Sequence, residues 1–434
     1  MDKMADVLGR AGAWCGQNKY LSAIKNAFQN FMPLTIAGAI GVLWCNVLVN
    51  ESTGLGIFFK PIMALEFLNP AFQAVNFCTI SCITVGITLG IAQEIGVWNM
   101  GAEKAGYIPG LVGLAAWLSV TNTSHMVEGA KEAFTGIAGN ELGATGLFTG
   151  MIIGVLSVEL FCFFEKQDAL KIKMPEQVPP GVARAFEVLV PATITLIITA
   201  CIGSACYNLT GLYLNDVIKN GIQGPLGAVG ATIPGVMIIY LVIMLFWLVG
   251  IHGNNMLSAV KEALFTPLAL ENVEKFNKGE KPTNIINMYA LQMWGEFGGS
   301  GVTIGLVIAI IIFGKREDNK AIASLSLVPG LFNINETVTF GIPMVLNPIL
   351  GIPFVFACLV TILVGYVLTV IGFCPVACLT VPWTTPPIVF GFLACGANVM
   401  GAVTQAILIV VSTVIYVPFL ISYEKYQNKQ AAEA

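Results

Sequence analysis

Charge is scarce in this chain of 434 residues: Asp, Glu, Lys and Arg make up 11% of it, where a soluble domain carries about 25%. Water would solvate such a sequence poorly, so the bilayer is its expected solvent. The net charge is −4 and the basic residues form no long block, which leaves no case for nucleic acid. Histidine occurs twice, too rarely to support a metal site, and no residue pattern calls for a cofactor. The eleven cysteines lie mainly inside apolar runs (Cys78, Cys82, Cys162, Cys201, Cys206, Cys358, Cys395). They form neither a disulfide framework nor paired metal-binding spacings, and read as small apolar packing residues. No Walker sequence occurs. The run Gly143-Ala144-Thr145-Gly146-Leu147-Phe148-Thr149-Gly150 has no phosphate-binding Lys and is not a P-loop; it reads as close helix packing through small residues. Nothing therefore supports ATP-driven pumping. The N-terminal stretch has mixed polarity and lacks a short apolar core with a cleavage site, so a cleavable signal is not expected there.

Hydrophobic residues make up 56% of the chain, and its mean hydropathy is +0.80. Apolar runs long enough to cross a bilayer fall near residues 31–50, 72–93, 107–121, 143–164, 186–210, 229–250, 297–314, 352–372 and 400–422. The expected class is an all-α polytopic membrane protein. Lys3, Arg10, Lys19 and Lys25 precede the first run and place the N-terminus in the cytoplasm. Further basic clusters mark cytoplasmic loops at Lys166, Lys171, Lys173 and Arg184, at Lys275, Lys278 and Lys281, at Lys315, Arg316 and Lys320, and at Lys425 and Lys429. Both termini are then cytoplasmic. The stretch Thr121 to Glu141, with His125, Glu128, Lys131 and Glu132, reads as a solvated loop holding a short amphipathic helix.

Alternation of sides holds through the sixth run and then fails. Lys281 and Lys315 both look cytoplasmic, with one clear run between them. A re-entrant hairpin, or a crossing hidden in 251–270, would resolve the count. The same difficulty recurs at 321–349, where Pro329, Gly330, Asn333, Asn335, Glu336, Gly341, Pro343, Asn347 and Pro348 forbid a continuous lipid-facing helix. Broken backbone at membrane depth is tolerated only where protein or a water-filled cavity satisfies it, and transporters build substrate sites from such breaks. Met174-Pro175-Glu176-Gln177-Val178-Pro179-Pro180-Gly181 interrupts the chain before a helix that can open on Pro180. Residues 1–185 are accordingly read as a scaffold half and 186–434 as a substrate half, with hairpins near 251–272 and 321–349.

Three polar constellations stand out. In Gly330 to Pro343, Glu336 lies between Asn333, Asn335 and Thr337 in otherwise apolar sequence. An ionisable group at membrane depth costs about 2.5–3.5 kcal/mol to insert and usually serves a function. No Lys or Arg occurs between Lys320 and Lys425, so the alternative, a structural carboxylate with a local cation, lacks its partner. A desolvated carboxylate of this kind would bond strongly to a hydroxyl or take its proton, and the flanking amides suit a sugar. Ile251-His252-Gly253-Asn254-Asn255 follows an apolar run. It reads either as a capped helix end or as a second polar break offering an imidazole, two amides and a glycine that permits close approach. Val381-Pro382-Trp383-Thr384-Thr385-Pro386-Pro387 forbids regular helix. Trp383 there can stack on a pyranose with Thr384 beside it, or sit as an interfacial Trp. Glu296, in Trp294-Gly295-Glu296-Phe297-Gly298-Gly299-Ser300-Gly301, reads as a water-facing carboxylate at a helix start.

With these residues in view, the chain resembles the membrane IIC component of the lactose/cellobiose/diacetylchitobiose branch of the bacterial phosphotransferase system. The resemblance rests on Gly-x-x-Phe-Asn-x-Asn-Glu-x-Val-x-Phe-Gly-x-Pro at 330–343, Ile-His-Gly-Asn-Asn at 251–255 and Pro-Trp-Thr-Thr-Pro-Pro at 382–387. Thr337 departs from it, standing where proline would follow the Glu. The resemblance implies about ten transmembrane helices with two re-entrant helical hairpins, in a homodimer formed through the N-terminal half and embedded in lipid of the bacterial plasma membrane. It implies inward movement of a β-linked disaccharide, cellobiose or diacetylchitobiose foremost, and phosphorylation of its 6-hydroxyl by a separate IIB protein. No Cys here has the soluble, loop-presented setting of a phosphoryl donor, so any enzymatic character would be shared with that partner. Carried over, Glu336 would hold the 6-hydroxyl with His252 beside it. Gly253, Asn254, Asn255, Asn333 and Asn335 would bind further hydroxyls or line the hairpin tips. Two other classes stay open: an ion-coupled secondary sugar transporter with Glu336 as proton site, and a membrane sugar receptor without flux.

Overall fold

The computed structural model describes residues 17–51, 59–125, 133–175, 177–342 and 344–433, with the isolated positions 10, 13, 14 and 56. The principal helices are α1 (Lys19–Leu43), α2 (Ile83–Met100), α3 (Ile108–Val120), α4 (Ala144–Glu165), α5 (Pro180–Thr210), α6 (Ile233–Leu248), α7 (Gly253–Met256), α8 (Ser258–Asn277), α9 (Met288–Gly295), α10 (Ile304–Phe313), α11 (Glu317–Leu331), α12 (Glu336–Gly341), α13 (Gly351–Val370), α14 (Val389–Ala394) and α15 (Val399–Glu433). Each apolar run read from the sequence contains helix, and the run near 297–314 opens on a turn before its helix begins at Ile304. Among the described residues, five helices are long and apolar enough to cross a membrane, and two pairs bent by 42° and 59° raise the number to as many as seven by length and composition. The second bent pair joins Met288–Val302 to α10, and its bend carries the glycine-rich turn described below.

One compact unit comprises Gln17–Gly38 and Val75–Ala228. Here α2, α3 and α4 pack on one another, and α5 packs on α3 and α4. Ile87, Ile91, Trp117, Leu147 and Phe161 are fully buried between them. Small residues permit this approach: a Cβ on Gly150 would stand 2.2 Å from Thr88 Oγ1. The helix that opens on Pro180 runs through residue 185 and belongs to this unit. Near its start, the buried Glu165 is paired with Lys104 at 2.8 Å and Arg184 at 3.1 Å, as a carboxylate withdrawn from water requires. In the loop expected between Thr121 and Glu141, Ser124–His125 (β1) pairs antiparallel with Phe134–Thr135 (β2), and one helical turn forms at Gly139–Leu142. Glu128, Lys131 and Glu132 lie outside the described residues.

The second unit is built mainly from Ala39–Ala74 and Val229–Ala434. Its centre is α10, α13 and α15, with α9 and α6 on α13 and α14 on α15. Trp294, Tyr240, Tyr416, Phe297 and Phe354 fill it. Gln405 of α15 joins three segments: its Oε1 accepts from the Ile388 and Gly391 N–H groups at 2.8 and 2.7 Å, and its Nε2 donates to the Met293 carbonyl at 3.3 Å. Helix α11 starts beside the end of α15, where the buried Glu424 accepts from the Lys315 and Arg316 N–H groups at 2.9 and 3.3 Å and from Asn319 Nδ2 at 3.2 Å. The Arg316 guanidinium, hydrogen-bonded to Asp318, holds that exposed carboxyl below its ordinary range. Two interruptions shape the unit. Val249 to His252 separate α6 from the single turn α7, and Phe332 to Asn335 separate α11 from α12.

Candidate functional site

The two interruptions meet. His252 caps α7, its Nδ1 accepting the Asn255 N–H at 3.3 Å. With Nδ1 the acceptor, a neutral ring carries its proton on Nε2. That nitrogen faces Glu336 Oε1 at 3.9 Å. The ring rests on Trp247, centroid to centroid 4.5 Å, and Trp247 meets Phe354 edge-on at 6.5 Å. Gly253 is required where it stands: a Cβ there would lie 2.0 Å from the Ile243 carbonyl oxygen.

Glu336 is the first residue of α12, where a carboxylate meets the positive end of the helix dipole. Thr337 is the second residue, a position at which proline and threonine are equally compatible with helix because its N–H has no partner within the helix. The departure from the family pattern therefore leaves the turn intact. Pro343 lies outside the described residues. Glu336 is not the enclosed carboxylate expected from its apolar surroundings: its side chain is 47% exposed and that of His252 38%. The helix start leaves it open on one side, and His252, far away in sequence, supplies its neighbour.

The amides hold the tips together. Asn333 adopts φ +63°, a left-handed conformation that asparagine tolerates. Its Oδ1 accepts the Gly298 N–H at 2.6 Å. Its Nδ2 donates to the carbonyls of Trp383 and Thr385, the latter at 3.1 Å. The Pro-Trp-Thr-Thr-Pro-Pro segment is thereby drawn to the Glu336 tip, with Trp383 45% exposed and Thr384 half-buried. Asn335 is buried, its Nδ2 donating to the Ser300 carbonyl at 2.9 Å and Thr339 Oγ1 at 3.1 Å. Asn254 Nδ2 donates to Ser300 Oγ at 3.1 Å. The Asn255 side chain is exposed. The amide nitrogens of Asn333 and Asn335 each donate twice within the tips, and that of Asn254 donates once.

The turn from Glu296 to Gly301 supplies the Gly298 N–H bound by Asn333 and the Ser300 oxygens bound by Asn335 and Asn254. Gly298, Gly299 and Gly301 have φ of +68°, +86° and +76°. Glu296 corrects the sequence reading. It follows the end of α9 instead of opening a helix toward water, accepts from Tyr240 OH at 2.7 Å, and is ion-paired with the buried Lys261 of α8. Glu296 and Lys261 are 35 positions apart, so no local pattern shows the pair. Ser300, which takes hydrogen bonds from Asn254 and Asn335, carries no mark in the sequence as a partner of either tip. The only sequence signal was the density of glycine around it.

The family described as "Phosphotransferase system, EIIC" matches residues 25–358. The chain is 33% identical to the oligo-beta-mannoside-specific EIIC component of Bacillus subtilis (strain 168), over 98% of this chain and 94% of that protein. It is 29% identical to the cellobiose-specific EIIC component of Lactococcus lactis subsp. lactis (strain IL1403), over 98% of each. The crystal structure of ChbC, the IIC component from the N,N'-diacetylchitobiose-specific phosphotransferase system, matches with a TM-score of 0.88 and 29% identity, covering 97% of each chain. The chain belongs to the EIIC family of the phosphotransferase system.

Proposed function

We propose that this chain is the permease subunit that binds a β-linked disaccharide, cellobiose or diacetylchitobiose, and carries it inward while presenting its 6-hydroxyl to a separate IIB phosphocarrier. The carrying observation is the 3.9 Å between His252 Nε2 and Glu336 Oε1, with both side chains open. That separation is too long for a direct hydrogen bond. One hydroxyl oxygen at about 2.8 Å from each atom fits between them, accepting from the imidazole N–H and donating to the carboxylate. A carboxylate so placed also orients, or takes the proton from, a hydroxyl about to attack phosphorus. Trp383 offers an exposed ring for a pyranose face, with Thr384 adjacent. The names of the relatives support the substrate class: oligo-beta-mannoside, cellobiose and, at 32% identity, the lichenan permease IIC component of Bacillus subtilis (strain 168).

In this reading residues 1–185 form the scaffold through which a homodimer assembles, and 186–434 carry the sugar on the hairpins near 251–272 and 321–349. The protein sits among the lipids of the bacterial plasma membrane with both termini cytoplasmic, consistent with Lys166, Lys171, Lys173, Lys425 and Lys429 at its loops and end. Calorimetric titration of cellobiose and diacetylchitobiose into the purified protein tests the site. A charge-assisted hydrogen bond is worth roughly 1.5–3 kcal/mol, so Glu336→Gln should weaken binding of the preferred sugar by about ten- to hundredfold. Equal affinity in wild type and variant would remove Glu336 from the site.

A further inference from the structure

The hydrogen bonds around the two chain breaks converge on a residue that the sugar need not touch. Asn254 lies two positions after His252 and donates to Ser300 Oγ at 3.1 Å. Asn335 immediately precedes Glu336 and donates to the Ser300 carbonyl at 2.9 Å. Ser300 is 5% exposed, so water competes weakly for either bond. The turn that carries it is itself anchored. Glu296 is held at one end by Tyr240 and Lys261. At the other, Tyr416 OH donates to the Gly301 carbonyl at 2.8 Å, and Thr303 Oγ1 donates to the Gly298 carbonyl at 2.7 Å.

We infer that Ser300 is a positioning residue that sets the gap between His252 and Glu336, and through that gap the preference for sugars bearing a free 6-hydroxyl. The inference rests on the reading of these two groups as the 6-hydroxyl contacts. The two bonds to Ser300 differ in what a substitution does to them. The carbonyl that holds Asn335 persists with any side chain at 300. The hydroxyl that holds Asn254 does not. Asn254 Oδ1 is already buried without a hydrogen-bond partner, so Ser300→Ala leaves that side chain with neither end tied. His252 keeps its bond to the Asn255 N–H and its contact with Trp247 but loses the tie that joins α7 to the turn, so α7 can shift relative to Glu336, which keeps its own support. A misplacement of about 1 Å can cost as much as a hundredfold where geometry is exacting.

The test is the affinity ratio of cellobiose to 6,6′-dideoxycellobiose, measured by titration in wild type, Ser300→Ala, Ser300→Cys and Glu336→Gln. Ser300→Ala should bind cellobiose about tenfold more weakly and the dideoxy sugar unchanged, so the ratio falls about tenfold. Ser300→Cys, with similar volume and a weaker acceptor, should give an intermediate ratio. It carries the test if the alanine variant does not fold. A purely structural role for Ser300 would weaken both sugars alike and keep the wild-type ratio. That result, together with a collapsed ratio in Glu336→Gln, overturns the inference alone. A wild-type ratio in Glu336→Gln overturns the 6-hydroxyl reading and the inference with it.

Discussion

A methyl group at position 299 has nowhere to go. Gly299 has φ +86° and ψ −176°, a region essentially restricted to glycine, and strain there costs about 1–3 kcal/mol. Its Cβ would also stand 2.6 Å from Cβ of Asn335, the residue before Glu336. Gly299→Ala should therefore lower the thermal unfolding temperature in detergent and weaken sugar binding together. A variant that matches wild type in both would contradict the role given to the turn. At this scale the sequence singled out Glu336, because a carboxylate in an apolar run is conspicuous and costly, and left His252 open between a helix cap and a polar break. It did not show Ser300, whose significance comes from Asn254 and Asn335 reaching it from 46 and 35 positions away.

Helix α8 shows how the meaning of a charged side chain depends on a partner distant in sequence. Glu296 reads from the sequence as a water-facing carboxylate at a helix start, and nothing near Lys261 in the sequence marks it as its partner. In the structure their side chains are 6% and 17% exposed and form an ion pair that ties α8 to the end of α9. Removing one partner of such a pair leaves a buried charge and costs about 3–5 kcal/mol, whereas removing both is often nearly neutral. Lys261→Met should be strongly destabilised in thermal unfolding, and Lys261→Met combined with Glu296→Gln should recover most of the loss. A single variant as stable as wild type would show that the pair does not brace the turn. The spans themselves were legible because lipid demands apolar helices of a given length. The bends of 42° and 59° were not, because they depend on glycine turns and on the partners that accept the freed backbone groups.

For the whole molecule, the grouping of segments depends on contacts between residues distant in sequence. Ala39–Ala74 joins Val229–Ala434 in one unit, and Asn46 Nδ2 donates to Asn277 Oδ1 across 231 positions at 3.3 Å. No composition shift near 39 or 74 announces this. The polar breaks were readable one at a time, but their meeting at His252 and Glu336 is a property of the folded chain. Family membership and the open pair of side chains lead to one central claim: the protein moves a β-linked disaccharide down its gradient through a site that includes Glu336. The most direct measurement is uptake of labelled cellobiose and diacetylchitobiose into proteoliposomes containing the purified protein, wild type beside Glu336→Gln, first without partner proteins or ion gradients and then with an imposed proton gradient. The account predicts saturable equilibration of one disaccharide by wild type, strongly reduced in the variant and unaffected by the proton gradient. Uphill accumulation of unmodified sugar that appears only under the proton gradient would contradict it and identify an ion-coupled transporter instead.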